Sequence, residues 1–275
     1  MKNGSIIVSG LYYYPVKSCR GVALNSAVVG EMGIQYDRQW MVVNEDGVFV
    51  AQRGDSAIGA AGVKTMCLIE PVITDHHLVL TAPGMQPLSL PLAGNSGAER
   101  RVRVWDSFSI GIDQGDEAAA WFTEYLSREV PGSYRLVRMP DEGMRATERG
   151  NDKVAFADAS PFLLTSEATL QSLNEKMGLE LPMNRFRPNI VVKGCEVLEE
   201  DTIGSFSINN MGFMGIKRCG RCPITTIDQQ TAIAGKEPLR TLATFNKEGN
   251  NVYFGMYLTH TGTGIISVGD KLVFE

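Results

Sequence analysis

The most informative stretch of this chain lies between residues 217 and 228 and reads Lys217-Arg218-Cys219-Gly220-Arg221-Cys222-Pro223-Ile224-Thr225-Thr226-Ile227-Asp228. Two cysteines in C-x-x-C spacing stand among three cations, and β-branched residues follow them. Nearby positive charge favours the thiolate, which is the form of cysteine that binds metals and attacks electrophiles. The β-branched residues predict a strand directly after the cysteines. We therefore expect an ionised sulfur on a strand or at a strand edge.

The C-x-x-C spacing is compatible with several kinds of site. A structural zinc site needs four sulfur or nitrogen ligands, but the chain has no second C-x-x-C motif and its 3 histidines lie far from this one in the sequence. A thioredoxin-like redox pair lowers the pKa of its thiol at a helix N-terminus, whereas the residues after Cys222 predict a strand. Two interpretations remain open, namely a single cysteine ligand to another metal and a pair of buried, inert cysteines.

Length, charge and cysteine content limit the class of protein. The chain has 275 residues, of which 44% are hydrophobic and 21% charged, which is typical of a globular protein with one large domain or two smaller ones. The net charge of −5 argues against nucleic acid as a partner, because binding to phosphate backbones needs a basic surface. No signal-peptide pattern and no run of 18 apolar residues is present, so we expect a cytoplasmic protein without a membrane partner. The 5 scattered cysteines do not suggest a disulfide framework.

Strand-like patterns fill most of the chain. Residues 101–104 and 205–208 alternate polar and apolar side chains, and short apolar runs elsewhere are punctuated by glycine, asparagine and aspartate. Two helices are predicted, one over residues 116–128 and one that begins after Ser166 as N-cap and ends at Gly178. Residues 140–152 predict an exposed loop. The fold class is therefore mainly β (α+β) with few helices, and a domain boundary is expected between residues 112 and 120.

Three further segments place cations beside turns or a proline, namely residues 14–21, 36–40 and 185–189. Arginine forks match phosphate oxygens bidentately, and an asparagine offers a donor and an acceptor to the edge of a heterocycle. Taken singly, each segment is more often a solvated surface cation or a salt bridge than part of a binding site. The chain has no Walker loop, no dinucleotide fingerprint and no G-x-S-x-G elbow.

In this order along the chain, the segments resemble the MOSC (molybdenum-cofactor sulfurase C-terminal) superfamily. Within it they are most similar to the bacterial YcbX-type proteins and the mitochondrial amidoxime-reducing components. The matching pieces span nearly the whole chain and are Tyr14-Pro15-Val16-Lys17-Ser18-Cys19-Arg20-Gly21, Asp37-Arg38-Gln39-Trp40, Ser160-Pro161-Phe162-Leu163-Leu164, Asn184-Arg185-Phe186-Arg187-Pro188-Asn189-Ile190, Cys219-Gly220-Arg221-Cys222, Thr225-Thr226-Ile227-Asp228, Lys236-Glu237-Pro238-Leu239 and Phe254-Gly255-Met256-Tyr257.

The resemblance implies an N-terminal β-barrel-like domain, which we place at residues 1–115, and a β-barrel MOSC domain at residues 116–275. It implies a molybdenum-pterin cofactor whose metal is held by the thiolate of Cys222, with Cys219 as a neighbour. The cofactor-binding positions that it implies are Lys17, Ser18, Arg38, Ser160, Arg187, Asn189, Gly220, Arg221 and Tyr257. Pro223 departs from the aliphatic residue usual in the family. Ala159 stands where the family often has a hydroxyl residue, and this departure weakens the match at Ser160.

The resemblance also implies a function. We expect an oxidoreductase that reduces small N-hydroxylated compounds such as hydroxylamines, amidoximes and N-hydroxylated bases, with Cys222 as its catalytic residue. No ferredoxin-like region with four cysteines follows, so electrons are expected from a separate flavin or iron–sulfur protein. Asp228 and Tyr257 are candidate proton donors. The alternative is a carrier that delivers sulfur or molybdenum cofactor to other enzymes. Pyridoxal phosphate on Lys17 is a weaker alternative, because it leaves Cys222 without a role.

Overall fold

The computed structural model describes residues 5–92, 97–147 and 152–274, and strands dominate it. In these residues the strands are β1 (Ile7–Tyr13), β2 (Val22–Leu24), β3 (Ser26–Gly30), β4 (Gly33–Ile34), β5 (Trp40–Val43), β6 (Glu70–Ile73), β7 (His77–Thr81), β8 (Leu88–Pro91), β9 (Glu99–Val104), β10 (Ser107–Asp113), β11 (Arg135–Arg138), β12 (Arg145–Ala146), β13 (Lys153–Val154), β14 (Phe162–Ser166), β15 (Ile190–Lys193), β16 (Ser205–Ile208), β17 (Met211–Gly220), β18 (Lys247–Glu248), β19 (Asn251–Thr261), β20 (Gly264–Ser267) and β21 (Val273–Phe274). The α-helices are α1 (Asp116–Leu126), α2 (Glu167–Met177) and α3 (Leu239–Leu242). The predicted mainly β fold with few helices is confirmed.

The largest sheet joins the beginning of the chain to its end. Its strands run in the order β2-β1-β15-β14-β19-β17-β16-β21, and β18 pairs with β19. β1 lies antiparallel to β15, and β14 lies parallel to β15. Apolar side chains such as Leu11, Phe162 and Leu258 alternate along these strands and form one buried core. The long pair β17–β19 carries Cys219, Gly220 and Tyr257, so this sheet sets the position of one wall of the site described below.

A second group of strands packs with α1. β5, β11, β10 and β9 form a four-stranded sheet, and β6, β7 and β8 form a three-stranded one. α1 buries Trp121, Phe122, Tyr125 and Leu126, the residues that the sequence placed on one face, in the same core as β5 and β7. The boundary between residues 115 and 116 stays a prediction. α1 and β11, which follow that boundary, pack with strands that precede it.

The second predicted helix has the ends that its sequence specifies. Ser166 precedes α2 in an extended conformation, and its Oγ accepts a hydrogen bond from the backbone N–H of Thr169 at 3.1 Å. Gly178 ends the helix in the left-handed region at φ 67°, where glycine carries no Cβ penalty. Within α2, Leu173 is fully buried. Local hydrogen bonds thus determine both ends, from the side chain of Ser166 at the start and from the backbone N–H of Gly178 at the finish.

Two local predictions are wrong in part. The residues after Cys222 do not form a strand, because Pro223–Thr226 is a 3₁₀ turn. Pro223 fits the first position of such a turn, where its missing N–H is not needed, and the hydroxyl of Thr225 bonds back to the carbonyl of Cys222 at 3.1 Å. The predicted exposed loop at 140–152 instead contains the short strand β12, which pairs with β13 and buries Arg145, while residues 148–151 lie outside the described residues.

Within the described residues, no helix combines the length and the apolar character that crossing a membrane requires.

Candidate cofactor-binding cavity

A cavity of about 140 Å³ lies where the large sheet meets the sheet that contains β5 and β9. Its walls come from loops and strand ends that are far apart in the sequence. All ten residues predicted for the site line it, namely Lys17, Ser18, Arg38, Ser160, Arg187, Asn189, Gly220, Arg221, Cys222 and Tyr257. The fold therefore brings these segments together, although their individual roles stay predictions.

Backbone hydrogen bonds hold the Lys17 and Arg38 segments side by side. The N–H of Lys17 donates to the carbonyl of Trp40 at 2.8 Å, and the N–H of Arg38 donates to the carbonyl of Tyr14 at 2.8 Å. The ammonium of Lys17 is buried, where it donates to the carbonyl of Phe156 at 2.9 Å and forms an ion pair with Asp158. Burial lowers the pKa of Lys17, and Asp158 opposes that shift. Lys17 thus lines the cavity as a buried ammonium whose ion-pair partner is Asp158.

Arg187 and Asn189 lie beside a buried tyrosine. The guanidinium of Arg187 stacks 4.3 Å from the ring centre of Tyr14, and that of Arg38 stacks 4.1 Å from the same ring. Arg187 donates to the carbonyl of Cys19 at 2.8 Å, and burial lowers its pKa. The amide of Asn189 accepts from Arg38 at 3.2 Å and donates to the carbonyl of Tyr12 at 3.3 Å. Asn189 therefore organises this wall through protein contacts as well as facing the cavity.

The two cysteines of the C-x-x-C motif differ in exposure and in partners. Cys219 is buried at the end of β17, and its sulfur accepts a hydrogen bond from Arg221 Nη1 at 2.9 Å. Cys222 is half-buried, lines the cavity and precedes the 3₁₀ turn. Burial raises the pKa of the Tyr257 hydroxyl, and the neighbouring sulfur of Cys219 raises it further. Because Cys219 is buried and Cys222 only half-buried, Cys222 is the more accessible of the two cysteines.

Unusual backbone conformations concentrate at the cavity. Eight residues other than glycine have a positive φ among the described residues, and four of them line the cavity, namely Ser18, Arg38, Trp105 and Arg187. A positive φ costs an ordinary residue roughly 1–2 kcal/mol. Such strain persists only where surrounding contacts hold it, and it clusters at functional sites. The sequence does not predict these positive φ angles, because serine, arginine and tryptophan normally adopt a negative φ.

Some residues singled out from the sequence lie elsewhere. The side chain of Arg185 is buried but bonds to the carbonyl of Thr225 and to Asp228. Asp228 accepts from the backbone N–H groups of Gln230 and Thr231, and it is not part of the cavity wall. Arg218 pairs with Glu248 rather than with a thiol. Asp228 therefore lacks the position needed for a proton donor in the cavity.

Other wall residues were not predicted from the sequence. Phe49, Arg53, Trp105 and Asp158 line the cavity and are not among the site residues predicted above. Asp158 stands two residues before the motif that begins at Ser160, and that proximity could have indicated it. Phe49, Arg53 and Trp105 come from segments whose pattern indicates only strands and turns.

Two comparisons with known proteins cover almost the whole chain. The MOSC N-terminal beta barrel domain model matches residues 5–129, and the MOSC domain model matches residues 151–273. Mitochondrial amidoxime reducing component 2 of Rattus norvegicus is 35% identical over 288 residues, which is 96% of this chain and 82% of the relative. The chain belongs to the MOSC family. The Homo sapiens proteins of the same type, components 2 and 1, are 34% and 33% identical, each over 96% of this chain and 82% of the relative.

The charges of this MOSC cavity suit an anionic ligand. Its walls contain five cations, namely Lys17, Arg38, Arg53, Arg187 and Arg221, but only one carboxylate, Asp158. No carboxylate pairs with Arg187 or Arg221 in the part of the chain that the structure describes, and Nε of Arg221 is buried without a hydrogen-bond partner. Unpaired buried cations are costly. A bound phosphate would compensate them.

A metal in this MOSC cavity would find one sulfur ligand in Cys222. Among the residues described, no group of three or more His, Cys, Asp or Glu side chains is arranged to hold a metal ion by itself. The resemblance implies only one protein ligand, since the pterin supplies its own two sulfurs. Soft metals prefer thiolates. The residues present therefore fit a molybdenum-pterin cofactor in their charge and in their donor type.

Proposed function

We propose that this protein binds a molybdenum-pterin cofactor and reduces N-hydroxylated compounds. One observation carries the proposal. Half-buried Cys222 lies in the same small cavity as buried Arg187 and half-buried Arg221, and among the described residues neither arginine has a carboxylate partner, in a protein whose net charge is −5. A phosphorylated cofactor with a sulfur-bound metal accounts for both the cations and the cysteine.

The residues of the cavity divide into two roles. Arg38, Arg187, Lys17 and Ser18 would hold the phosphate and the pterin, because guanidinium and ammonium groups bind phosphate through charge-assisted hydrogen bonds. Cys222 would be the protein ligand of the metal. Arg221 would help to position that ligand, since its guanidinium donates hydrogen bonds to the sulfur of Cys219 and to the carbonyl of Phe186. Ser160 donates to the carbonyl of Leu258, so it would act by shaping the wall.

The proposed reaction is the two-electron cleavage of an N–O bond. Each turnover consumes one N-hydroxylated substrate, two electrons and two protons, and it yields the reduced amine or amidine and one water. The relatives are named for amidoxime reduction, which supports this substrate class. A bound molybdenum centre supplies two-electron chemistry. The protein holds the cofactor, limits water with apolar walls such as Phe49 and Ile224, and admits the substrate.

We further propose that a separate flavin or iron–sulfur protein donates the electrons, and that the protein works in the cytoplasm. Both proposals come from the sequence. Fractionation of the native host and pull-down with the tagged holoprotein test them directly.

Elemental analysis tests the cofactor. The protein is purified from a host that makes molybdenum cofactor, alongside Cys222→Ser and the matched control Cys195→Ser, which lies outside the cavity. We expect about one molybdenum per wild-type and Cys195→Ser chain, and at least a tenfold loss in Cys222→Ser. Equal molybdenum in all three proteins would exclude Cys222 as the ligand.

Turnover tests the reaction. The holoprotein is mixed with benzamidoxime and a chemical electron donor, and benzamidine is quantified. Formation of benzamidine supports an enzyme. Holoprotein that forms no benzamidine but passes its molybdenum cofactor to an apo-enzyme would instead be a carrier, which is the alternative that the sequence left open.

A further inference from the structure

An aromatic wall lines the cavity, and the assignments above give it no contact with substrate. It consists of Phe49, which is fully buried, and Trp105, which is half-buried and lines the cavity. Both come from the N-terminal part of the chain, whereas the sulfurs come from β17 and the turn after it. A flat apolar surface at the cavity lining can contact a ligand through its face.

The indole of Trp105 is held in place on several sides. The ring of Phe49 lies 4.8 Å away, centre to centre, at an angle of 60°. The guanidinium of Arg53 lies 5.1 Å from the indole centre. The indole N–H donates to Oδ1 of Asp158 at 2.7 Å. These contacts fix the ring in one orientation against the cavity.

The backbone of Trp105 is unsuited to tryptophan. Val104 pairs with Ser107, so Trp105 and Asp106 form the two-residue turn between β9 and β10. Trp105 has a φ of 54° at the first position of this turn, where glycine is the usual residue. A bulky side chain in this region is an outlier, and the direction of inference runs from such an outlier to function. The fold keeps tryptophan where glycine would be less strained.

Arg53 is available to a ligand. Its guanidinium lines the cavity, and no hydrogen bond or ion pair joins it to any residue in ranges 5–92, 97–147 and 152–274. Planar guanidinium groups stack on aromatic rings and on other conjugated planes. Arg53 and Trp105 thus offer two adjoining planar surfaces.

We propose that Trp105, braced by Phe49 and Arg53, is the surface on which a planar substrate stacks. The structure therefore assigns this protein a preference for conjugated N-hydroxylated compounds, such as aryl amidoximes and N-hydroxylated bases, over aliphatic hydroxylamines. This inference rests on the proposed function for its substrates, but stacking itself can be measured without turnover. Trp105 is a specificity-determining residue that touches substrate, and it has no part in the N–O cleavage.

Three variants separate stacking from folding. Trp105→Gly removes the ring and its packing while it relieves the positive φ, and its melting temperature shows whether the variant stays folded. Trp105→Phe keeps a ring but loses the hydrogen bond to Asp158. Phe108→Ala is the matched control, because Phe108 lies on the same hairpin, is 55% exposed and does not line the cavity.

Kinetics and binding give two independent readouts. For Trp105→Gly holoprotein, KM for benzamidoxime is expected to rise about tenfold, as the loss of one aromatic contact predicts, while KM for N-methylhydroxylamine stays constant. Trp105→Phe and Phe108→Ala should keep the wild-type preference. Benzamidine should quench the tryptophan fluorescence of wild type but not of Trp105→Phe, since Trp40 and Trp121 are 0% and 8% exposed.

The outcomes are distinct. An equal change in KM for both substrates, no change for either, or no binding of benzamidine to wild type would overturn the proposal. Loss of molybdenum from Trp105→Gly would also overturn it, because the ring would then serve the cofactor. If wild type binds benzamidine through Trp105 but reduces neither substrate, the proposed function fails while stacking of planar ligands stands.

Discussion

Nη1 of Arg221 lies 2.9 Å from the sulfur of Cys219, and Nη2 of the same guanidinium donates to the carbonyl of Phe186 at 2.7 Å. One arginine thus ties the end of β17 to the segment that carries Arg187. The sulfurs of Cys219 and Cys222 and the hydroxyl of Tyr257 outweigh the effect of burial and raise the pKa of Arg221. This fork thereby anchors the segment that carries Cys222 beside the cavity.

Arg221→Lys should lower the molybdenum content of the purified protein about tenfold, because an ammonium group cannot span both partners of the fork. The matched control is Arg218→Lys, whose side chain pairs with Glu248 outside the cavity. Molybdenum per chain is measured for both variants after expression in a host that makes the cofactor. Retention of full molybdenum by Arg221→Lys would show that the fork is dispensable.

Asp113 should stabilise the four-stranded sheet. It is 5% exposed, and Arg135 Nη2 donates to its carboxylate at 2.9 Å. Asp113→Asn should lower the free energy of unfolding by about 2 kcal/mol, since the charged partners lose their acceptor. Asp116→Asn removes an exposed partner of the same arginine and should cost less than about 0.5 kcal/mol. Urea unfolding measures both, and equal losses would contradict the assignment.

The same carboxylate predicts a pH dependence. Burial opposes the ionisation of Asp113, but Arg135 and the N–H of Gly115 more than offset it and hold its pKa below the ordinary value. A carboxylate with a lowered folded pKa contributes stability above its unfolded pKa, and that stability is lost as the pH falls through the folded pKa. Wild type should therefore lose its advantage over Asp113→Asn below about pH 4. A constant difference from pH 7 to pH 3 would refute this.

Glu200 predicts a pH dependence of the opposite sign. It is 1% exposed, accepts hydrogen bonds from Ser166 at 2.9 Å and Thr169 at 2.8 Å, and burial raises its pKa. Its stabilising contribution is present below the unfolded pKa and is lost as the pH rises through the folded pKa. Glu200→Gln should be more stable than wild type by about 1 kcal/mol at pH 8 and equal to it at pH 4.

The control for Glu200 is Glu180→Gln, which makes the same charge change at an exposed position. Thermal unfolding of both variants is followed at the two pH values. A stabilisation of Glu180→Gln that matches that of Glu200→Gln would indicate a net-charge effect instead of relief of a buried carboxylate.

Gly255 should be intolerant of a side chain. It has a φ of 87°, and a Cβ there would lie 2.5 Å from the carbonyl oxygen of Leu164 in the neighbouring strand. Gly255→Ala should destabilise the protein by about 3 kcal/mol, from the positive φ and the clash together. Gly249→Ala has a φ of 57° and open space around its Cβ, so it should cost only about 1 kcal/mol. Denaturant unfolding that gives equal losses would show that the clash relaxes.

Sequence patterns determined the elements whose cause is local. The ends of α2 followed from Ser166 and Gly178, because capping bonds and left-handed conformations involve residues only a few positions apart. The alternation in β9 and β16 determined which side chains face the core. The order of motifs along the chain determined the family, since eight separate segments match in register.

Tertiary structure alone decided how these segments meet. Lys17 pairs with Asp158 across 141 positions of the chain, and Arg187 reaches the carbonyl of Cys19 across 168. Sheet register and loop closure determine such contacts, and no local propensity encodes them. The turn at Pro223–Thr226 has a local cause instead, since Pro223 and the hydroxyl bond from Thr225 to the carbonyl of Cys222 favour a 3₁₀ turn over the predicted strand. The position of Trp105 at the cavity is a consequence of packing, since its own backbone preference opposes it.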